Sequence, residues 1–244
     1  MEHWEALCPG GYRFVYDDES FRPGTDTFLL SSLPRLKPGL RVCDLGSGAG
    51  LLGLLLLQRQ PDLRVTGVEI QGAAVRLAEK AALENGLADR LTACHGDLRD
   101  VKARFPTGGF DLVVCNPPYY PPASGAVAEN AARRTARSEV SCSLADICAA
   151  ASYLLRWGGS FCLVHKPERL CDLLCALRQS AIEPKRLRFV CPAAGSAPSL
   201  ALLEGRRGGK PGLTVEAPLI LQNADGSPTA ELNAIYFRQQ EDTP

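Results

Sequence analysis

The stretch Arg41–Gln60 reads RVCDLGSGAGLLGLLLLQRQ, and its reading decides the fold. Arg41–Leu45 is short and mostly apolar, as a buried strand requires. Gly46-Ser47-Gly48-Ala49-Gly50 reads as a turn, and the leucine-rich run after it has the length of a helix. Strand, glycine turn and helix form the opening unit of a Rossmann-like α/β sheet. The dinucleotide fingerprint G-x-G-x-x-G asks for Gly or Ala at position 51, where Leu51 stands. Asp44 lies just ahead of the turn. An anion there repels a pyrophosphate and favours a cationic ligand. The glycines let backbone approach that ligand where a Cβ would collide.

Outward from this unit the chain alternates strands and helices. Arg64–Ile70 is a second strand ending near Glu69, 23 residues after Gly46. An acid at this offset can accept both ribose hydroxyls of an adenosine. Gln71–Asn85 follows as a helix, with Gly86 as its stop. Leu91–His95 is a third strand, and the Gly96-Asp97-Leu98 after it places Asp97 to meet an adenine amine. Further on, Leu144–Leu155 and Arg169–Ser180 read as helices and Ser160–His165 as a strand. Arg186–Val190 and Ser199–Glu204 read as the last two strands, Gly205–Gly212 as a loop, and the tail after Pro218 carries no assignment. On the amino side, Gly24-Thr25-Asp26 turns into an apolar helical run, Thr27–Leu33. Residues 1–36 are expected to form an arm capping a domain of residues 37–244, with Thr25 and Asp26 closing one end of a cofactor pocket.

The fourth strand carries the chemistry. Phe110–Tyr120 reads FDLVVCNPPYY. Its apolar run suits a parallel strand buried on both faces. The strand must end at Asn116, because proline has no N–H for a ladder. Asn116-Pro117-Pro118-Tyr119 therefore sits at the carboxyl end of a buried strand, the edge where open α/β sheets bind ligands. The prolines bring carbonyl acceptors without donors, Asn116 a carboxamide oxygen, and Tyr119 an aromatic face. Such a set suits a planar NH2 group on a flat conjugated system.

Composition sets the outer limits. A length of 244 residues, 45% hydrophobic and 22% charged, suits a soluble globular chain. Lys+Arg and Asp+Glu both count 27, so nucleic-acid contact would need a local patch. The amino terminus is neither basic nor a long apolar run, and no apolar stretch reaches ~20 residues. A cytoplasmic chain without a membrane partner is expected, and nothing in it sets an oligomeric state. Ten cysteines are present, none spaced as C-x-x-C. Cys43, Cys115, Cys148 and Cys162 lie in apolar surroundings and read as reduced core residues. With three histidines, no metal site is expected.

The glycine loop with Asp44 is similar to the nucleotide loop of class I S-adenosylmethionine (SAM)-dependent methyltransferases. Asn-Pro-Pro-Tyr after an apolar strand resembles the signature of those that modify exocyclic amines of bases or glutamine side-chain amides. GYRF, DLGSGAG, GVEIQ, NPPYY, ARSE, VHKPERL and LLEGRRGGKPGL together resemble the adenine methyltransferases of the valine tRNA anticodon loop, over roughly Gly11 to Leu221. That family often carries Ala-Arg-His-Glu where this chain has Ala136-Arg137-Ser138-Glu139. The resemblance implies a mainly parallel seven-stranded sheet with helices on both faces. It implies SAM held by Thr25, Asp44, Gly46, Gly48, Gly50, Glu69, Ile70, Asp97, Leu98 and Asn116, and a catalytic turn of Asn116, Pro117, Pro118 and Tyr119. It also implies an RNA partner, foremost tRNA. Arg133, Arg134, Arg137, Glu139, Lys166 and Arg206 are the expected RNA contacts, as basic clusters near the ends of strands. Asn116 and the Pro117 carbonyl would take the amine's two protons while Tyr119 stacks on an unstacked base. Two other readings stand beside this one. A protein glutamine methyltransferase has a similar pocket but typically a helical domain ahead of it, for which about 40 residues are too few. A non-catalytic RNA-binding relative would have no need for intact Asp44, Glu69, Asp97 and Asn116.

Overall fold

A computed structural model describes residues 1–18, 24–119 and 142–238. Seven strands form the centre of the sheet: β3 (Arg41–Leu45), β4 (Arg64–Glu69), β5 (Leu91–His95), β6 (Phe110–Cys115), β7 (Leu155–His165), β8 (Ile182–Ala193) and β9 (Leu200–Arg207). Their order is β8-β9-β7-β6-β3-β4-β5, parallel from β7 to β5. Only β9 runs against its neighbours β7 and β8. Two short strands, β10 (Thr214–Val215) and β11 (Leu219–Gln222), run parallel to β8 and extend the expected seven to nine. They form one interrupted edge, with Pro218, which lacks an N–H, in the gap. Strand β9 also continues through Arg207, inside the stretch expected to be loop, because both its flanks are paired.

Helices cover both faces. These are α1 (Thr25–Ser31), α2 (Leu51–Arg59), α3 (Gly72–Glu84), the short α4 (Val101–Arg104), α5 (Leu144–Leu154), α6 (Leu170–Gln179) and α7 (Ala230–Ile235). Alternation along the strands divides the core. Leu112 and Val114 of β6, with Cys162 and Val164 of β7, face α1, α2 and α3. Val113, Cys115, Phe161 and Leu163 face α5 and α6. A strand sandwiched this way has no polar face, which is why Leu112–Cys115 is apolar throughout, with Asp111 at the strand's start meeting Arg41 and Arg156. Cys43, Cys115, Cys148 and Cys162 are buried with free thiols, and burial pushes each thiol up.

The amino-terminal residues add a hairpin, β1 (Glu2–Ala6) with β2 (Arg13–Asp17). It docks on the end of α3, where Asn85 exchanges hydrogen bonds with the Arg13 backbone at 2.8 and 2.6 Å. Leu7, Phe14, Val15 and the apolar side of α1 join the same core as α2. The carboxyl-terminal tail returns to this side. Tyr236 stacks on Phe28 with ring centres 4.3 Å apart, and the Arg59 guanidinium donates to the Ile235 carbonyl at 2.7 Å. No described helix is long and apolar enough to cross a membrane.

Candidate active site

Because β3 through β7 are parallel, their carboxyl ends share one edge. That edge gathers Asp44 and the glycine turn, Glu69, Asp97, Asn116 and His165. At the turn, Gly46, Gly48 and Gly50 all have positive φ, +72°, +53° and +82°. A side chain at any of them would be strained, and at Gly46 and Gly48 a Cβ would point into open space. Glu69 fastens the loop: its Oε2 accepts from the Gly48 N–H at 2.9 Å and its Oε1 from the Gln71 N–H at 2.8 Å. Each oxygen keeps a further lone pair for a ligand hydroxyl. Ile70 is half-buried, and its carbonyl meets His95 Nε2 at 2.9 Å.

Asp44 is the unusual member. It is 2% exposed, and its Oδ2 has no hydrogen-bond partner, nor does the nearby Ser47 hydroxyl. Burial, with the Glu69 carboxylate adding to it, raises its pKa from 3.8 to about 8. A buried acceptor without a donor is costly unless something completes it. A cationic ligand with N–H donors would do so, and this donor set fits SAM, with its ammonium and sulfonium.

Asp97 stands at the same edge, but its carboxylate is engaged. It accepts from the Arg99 N–H at 2.8 Å and from the Arg99 guanidinium, which holds its carboxyl below the usual range. An adenine amine would have to share it with Arg99. Leu98 is half-buried next to it, lining a cavity of about 120 Å³ with Val101 and Ala150.

The proline turn is braced by α1. Asn116 Nδ2 donates to Thr27 Oγ1 at 3.0 Å, and the Tyr119 hydroxyl donates to Asp26 Oδ2 at 2.6 Å. Pro117 is buried and Pro118 exposed. The Tyr119 ring meets His165 edge-on at 5.5 Å, with the Lys166 ammonium 5.4 Å from its centre. Burial and the Asp26 carboxylate push the Tyr119 hydroxyl up, so it stays protonated. His165 is 2% exposed, is driven towards neutral by burial, and takes the Lys166 N–H on Nδ1 at 2.8 Å.

Some expected site residues fall elsewhere. Thr25 is exposed and lines a different cavity, about 410 Å³, between the hairpin, α1 and Tyr236. The polar links to the proline turn come from Asp26 and Thr27 instead. Arg206 does not share a surface with Lys166. It pairs in register with Ser160, whereas His165 pairs with Ala201, so the antiparallel course of β9 carries Arg206 to the opposite edge. Arg133, Arg134, Arg137 and Glu139 lie outside the described residues. His165 and Thr27 had no site role in the sequence reading. The signals for His165 were its place at a strand's carboxyl end and within the segment VHKPERL.

Residues 14–172 match the family described as methyltransferase small domain. The chain is 32% identical over 216 residues to a tRNA1(Val) (adenine(37)-N6)-methyltransferase of Dickeya chrysanthemi, covering 86% of this chain and 84% of that one. To the protein of the same name in Tolumonas auensis it is 29% identical over 242 residues, covering 93% and 95%. Among solved structures, a predicted O-methyltransferase from Agrobacterium tumefaciens aligns with a TM-score of 0.72 at 23% identity, over 87% of this chain and 96% of that one. Geranyl diphosphate C-methyltransferase from Streptomyces coelicolor, in complex with S-adenosyl-L-homocysteine, aligns with a TM-score of 0.56 at 16% identity, over 74% and 77%. With a glycine turn, a buried acid and a proline turn on one sheet edge, the chain belongs to the methyltransferase small domain family, among the relatives of the tRNA1(Val) (adenine(37)-N6)-methyltransferases.

Proposed function

We propose that this chain catalyses SAM-dependent methylation of the exocyclic amine of an adenine in tRNA, within the cytoplasm. The observation that carries the reading is the pairing, on one edge, of an unpartnered buried Asp44 carboxylate with a rigid Asn116-Pro117-Pro118-Tyr119 turn. Asp44, Gly46, Gly48, Gly50, Glu69, Ile70, Asp97 and Leu98 would hold the cofactor, with Asn116 at its reactive end. When bound, SAM supplies an electrophilic sulfonium methyl group.

The chain's own work is to prepare the nucleophile. An adenine amine is a poor nucleophile because its lone pair is delocalised into the ring. Asn116 Oδ1 and the Pro117 carbonyl are acceptors for its two protons, and both lie on a turn whose proline rings fix φ. Accepting hydrogen bonds from those protons draws the nitrogen towards tetrahedral geometry and frees the lone pair. Tyr119 offers a face for a base lifted out of its stack. Positioning on this scale supplies much of a methyl transfer's acceleration. Lys166, whose ammonium lies over the Tyr119 ring, would meet a phosphate flanking such a base.

The relatives named for adenine N6 methylation of tRNA1(Val) favour RNA over a glutamine side chain. Labelled SAM given to pooled tRNA and protein, followed by nucleoside and amino-acid analysis, tests this. The expected product is N6-methyladenosine in valine tRNA. Label appearing only on glutamine would overturn the reading.

A further inference from the structure

Two consecutive residues of α1 hold both polar ends of the proline turn. Thr27 Oγ1 accepts from Asn116 Nδ2 at 3.0 Å. Asp26 Oδ2 accepts from the Tyr119 hydroxyl at 2.6 Å, while the same hydroxyl lies 3.1 Å from Asn116 Oδ1. A phenol has one proton to give. Of two acceptors, the carboxylate is the stronger, and here it is also the nearer. The proton therefore goes to Asp26, and Asn116 Oδ1 is left without a donor from the turn. Thr27 Oγ1 takes a proton from the other half of the amide. Turned over, the carboxamide would point Nδ2 at the Tyr119 oxygen and spend its own oxygen on the Thr27 hydroxyl. A donor would then stand where an amine proton must be accepted.

We infer that Asp26 and Thr27 are positioning residues that keep Asn116 Oδ1 an unclaimed acceptor for the substrate amine. The inference rests on the reading of Asn116 given above. Neither residue touches the reacting atoms; both act through Asn116, one by fixing its orientation and one by removing a competing proton.

Single-turnover methylation of a valine tRNA transcript at saturating SAM provides the kinetic test. Thr27→Val keeps the shape and removes the acceptor. The chemical rate should fall roughly tenfold, the scale of one lost hydrogen bond in a barrier. SAM affinity and melting temperature should hold, and Thr27→Ser should restore the rate. Asp26→Leu should slow the step similarly, because the Tyr119 proton then turns to Asn116. Adding Tyr119→Phe to Asp26→Leu removes that proton and should recover part of the rate. A packing defect predicts the reverse, a double variant slower than Asp26→Leu, and that result would overturn the inference.

Proton–nitrogen spectra of the RNA-free protein give a second reading that needs no activity. Thr27→Val should move the Asn116 side-chain amide resonance, and Tyr119→Phe should move it little. The opposite pattern would show the amide turned over and end the proposal. If the wild-type protein leaves the transcript unmethylated, the proposed function fails; if Asn116→Ala keeps wild-type rates, the role of Asn116 and this inference fail together. If Asn116→Ala is inactive while Thr27→Val and Asp26→Leu are unimpaired, only this inference falls.

Discussion

Replacing Asp44 by Asn should raise stability at alkaline pH and weaken SAM binding, both for one reason. Asp44 is buried, carries an oxygen without a partner, and has its pKa raised from 3.8 to about 8. An acid whose pKa is higher folded than unfolded binds more protons in the folded state. Its penalty is absent below the unfolded value, grows as pH climbs, and is complete above about 8. The span from 3.8 to about 8, at about 1.36 kcal/mol per pH unit, sets a ceiling of roughly 6 kcal/mol on that penalty. A third of the ceiling, about 2 kcal/mol, would move Tm by about 4–8 °C in a chain of this size. Asn has nearly the same shape and no charge, so the variant should melt close to wild type near pH 4, where the unfolded acid is still half protonated, and well above it near pH 9. A cationic ligand beside Asp44 stabilises the ionised form, so SAM binding near pH 7 should release close to one proton in wild type and none in the variant. Calorimetry in buffers of different ionisation enthalpy reads this directly. Equal melting curves at both pH values, together with proton release unchanged by the substitution, would refute the reasoning.

Other expectations follow from particular contacts. Gly48→Val puts a β-branched residue at φ +53° in the loop that Glu69 fastens. SAM binding should be lost by calorimetry, with Tm lowered by a few degrees. Tyr119→Phe should slow methylation measurably, since the hydroxyl is held by Asp26 at 2.6 Å, and Tyr119→Ala should slow it further. Rates for the two that match wild type would remove Tyr119 from the site. Lys166→Ala should weaken RNA binding and lower its salt slope by about 0.7. Arg206→Ala, on the opposite edge, should leave that slope unchanged, and filter binding across a salt series compares them.

The sequence by itself determined which segments are strands and which are helices wherever the signal is local. Strands at Arg41–Leu45 and Leu91–His95 and a helix from Leu144 follow from apolar runs bounded by glycine or a capping serine. The placement of Asp44, Glu69, Asp97 and Asn116 on one edge was also legible, because parallel strands joined by helices must end together. Tertiary structure alone decided the rest. Whether a late strand runs with or against its neighbours depends on partners distant in sequence, and that direction sends Arg206 away from Lys166. The pairing of β10 and β11 with β8 needs the preceding strand as a template, so the tail carried no pattern to read. The links from Asp26 and Thr27 to Tyr119 and Asn116 span 93 and 89 residues, and no local rule of spacing reaches that far. Residue chemistry and period are written along the chain, whereas which oxygen meets which proton is fixed only when the sheet brings distant turns together.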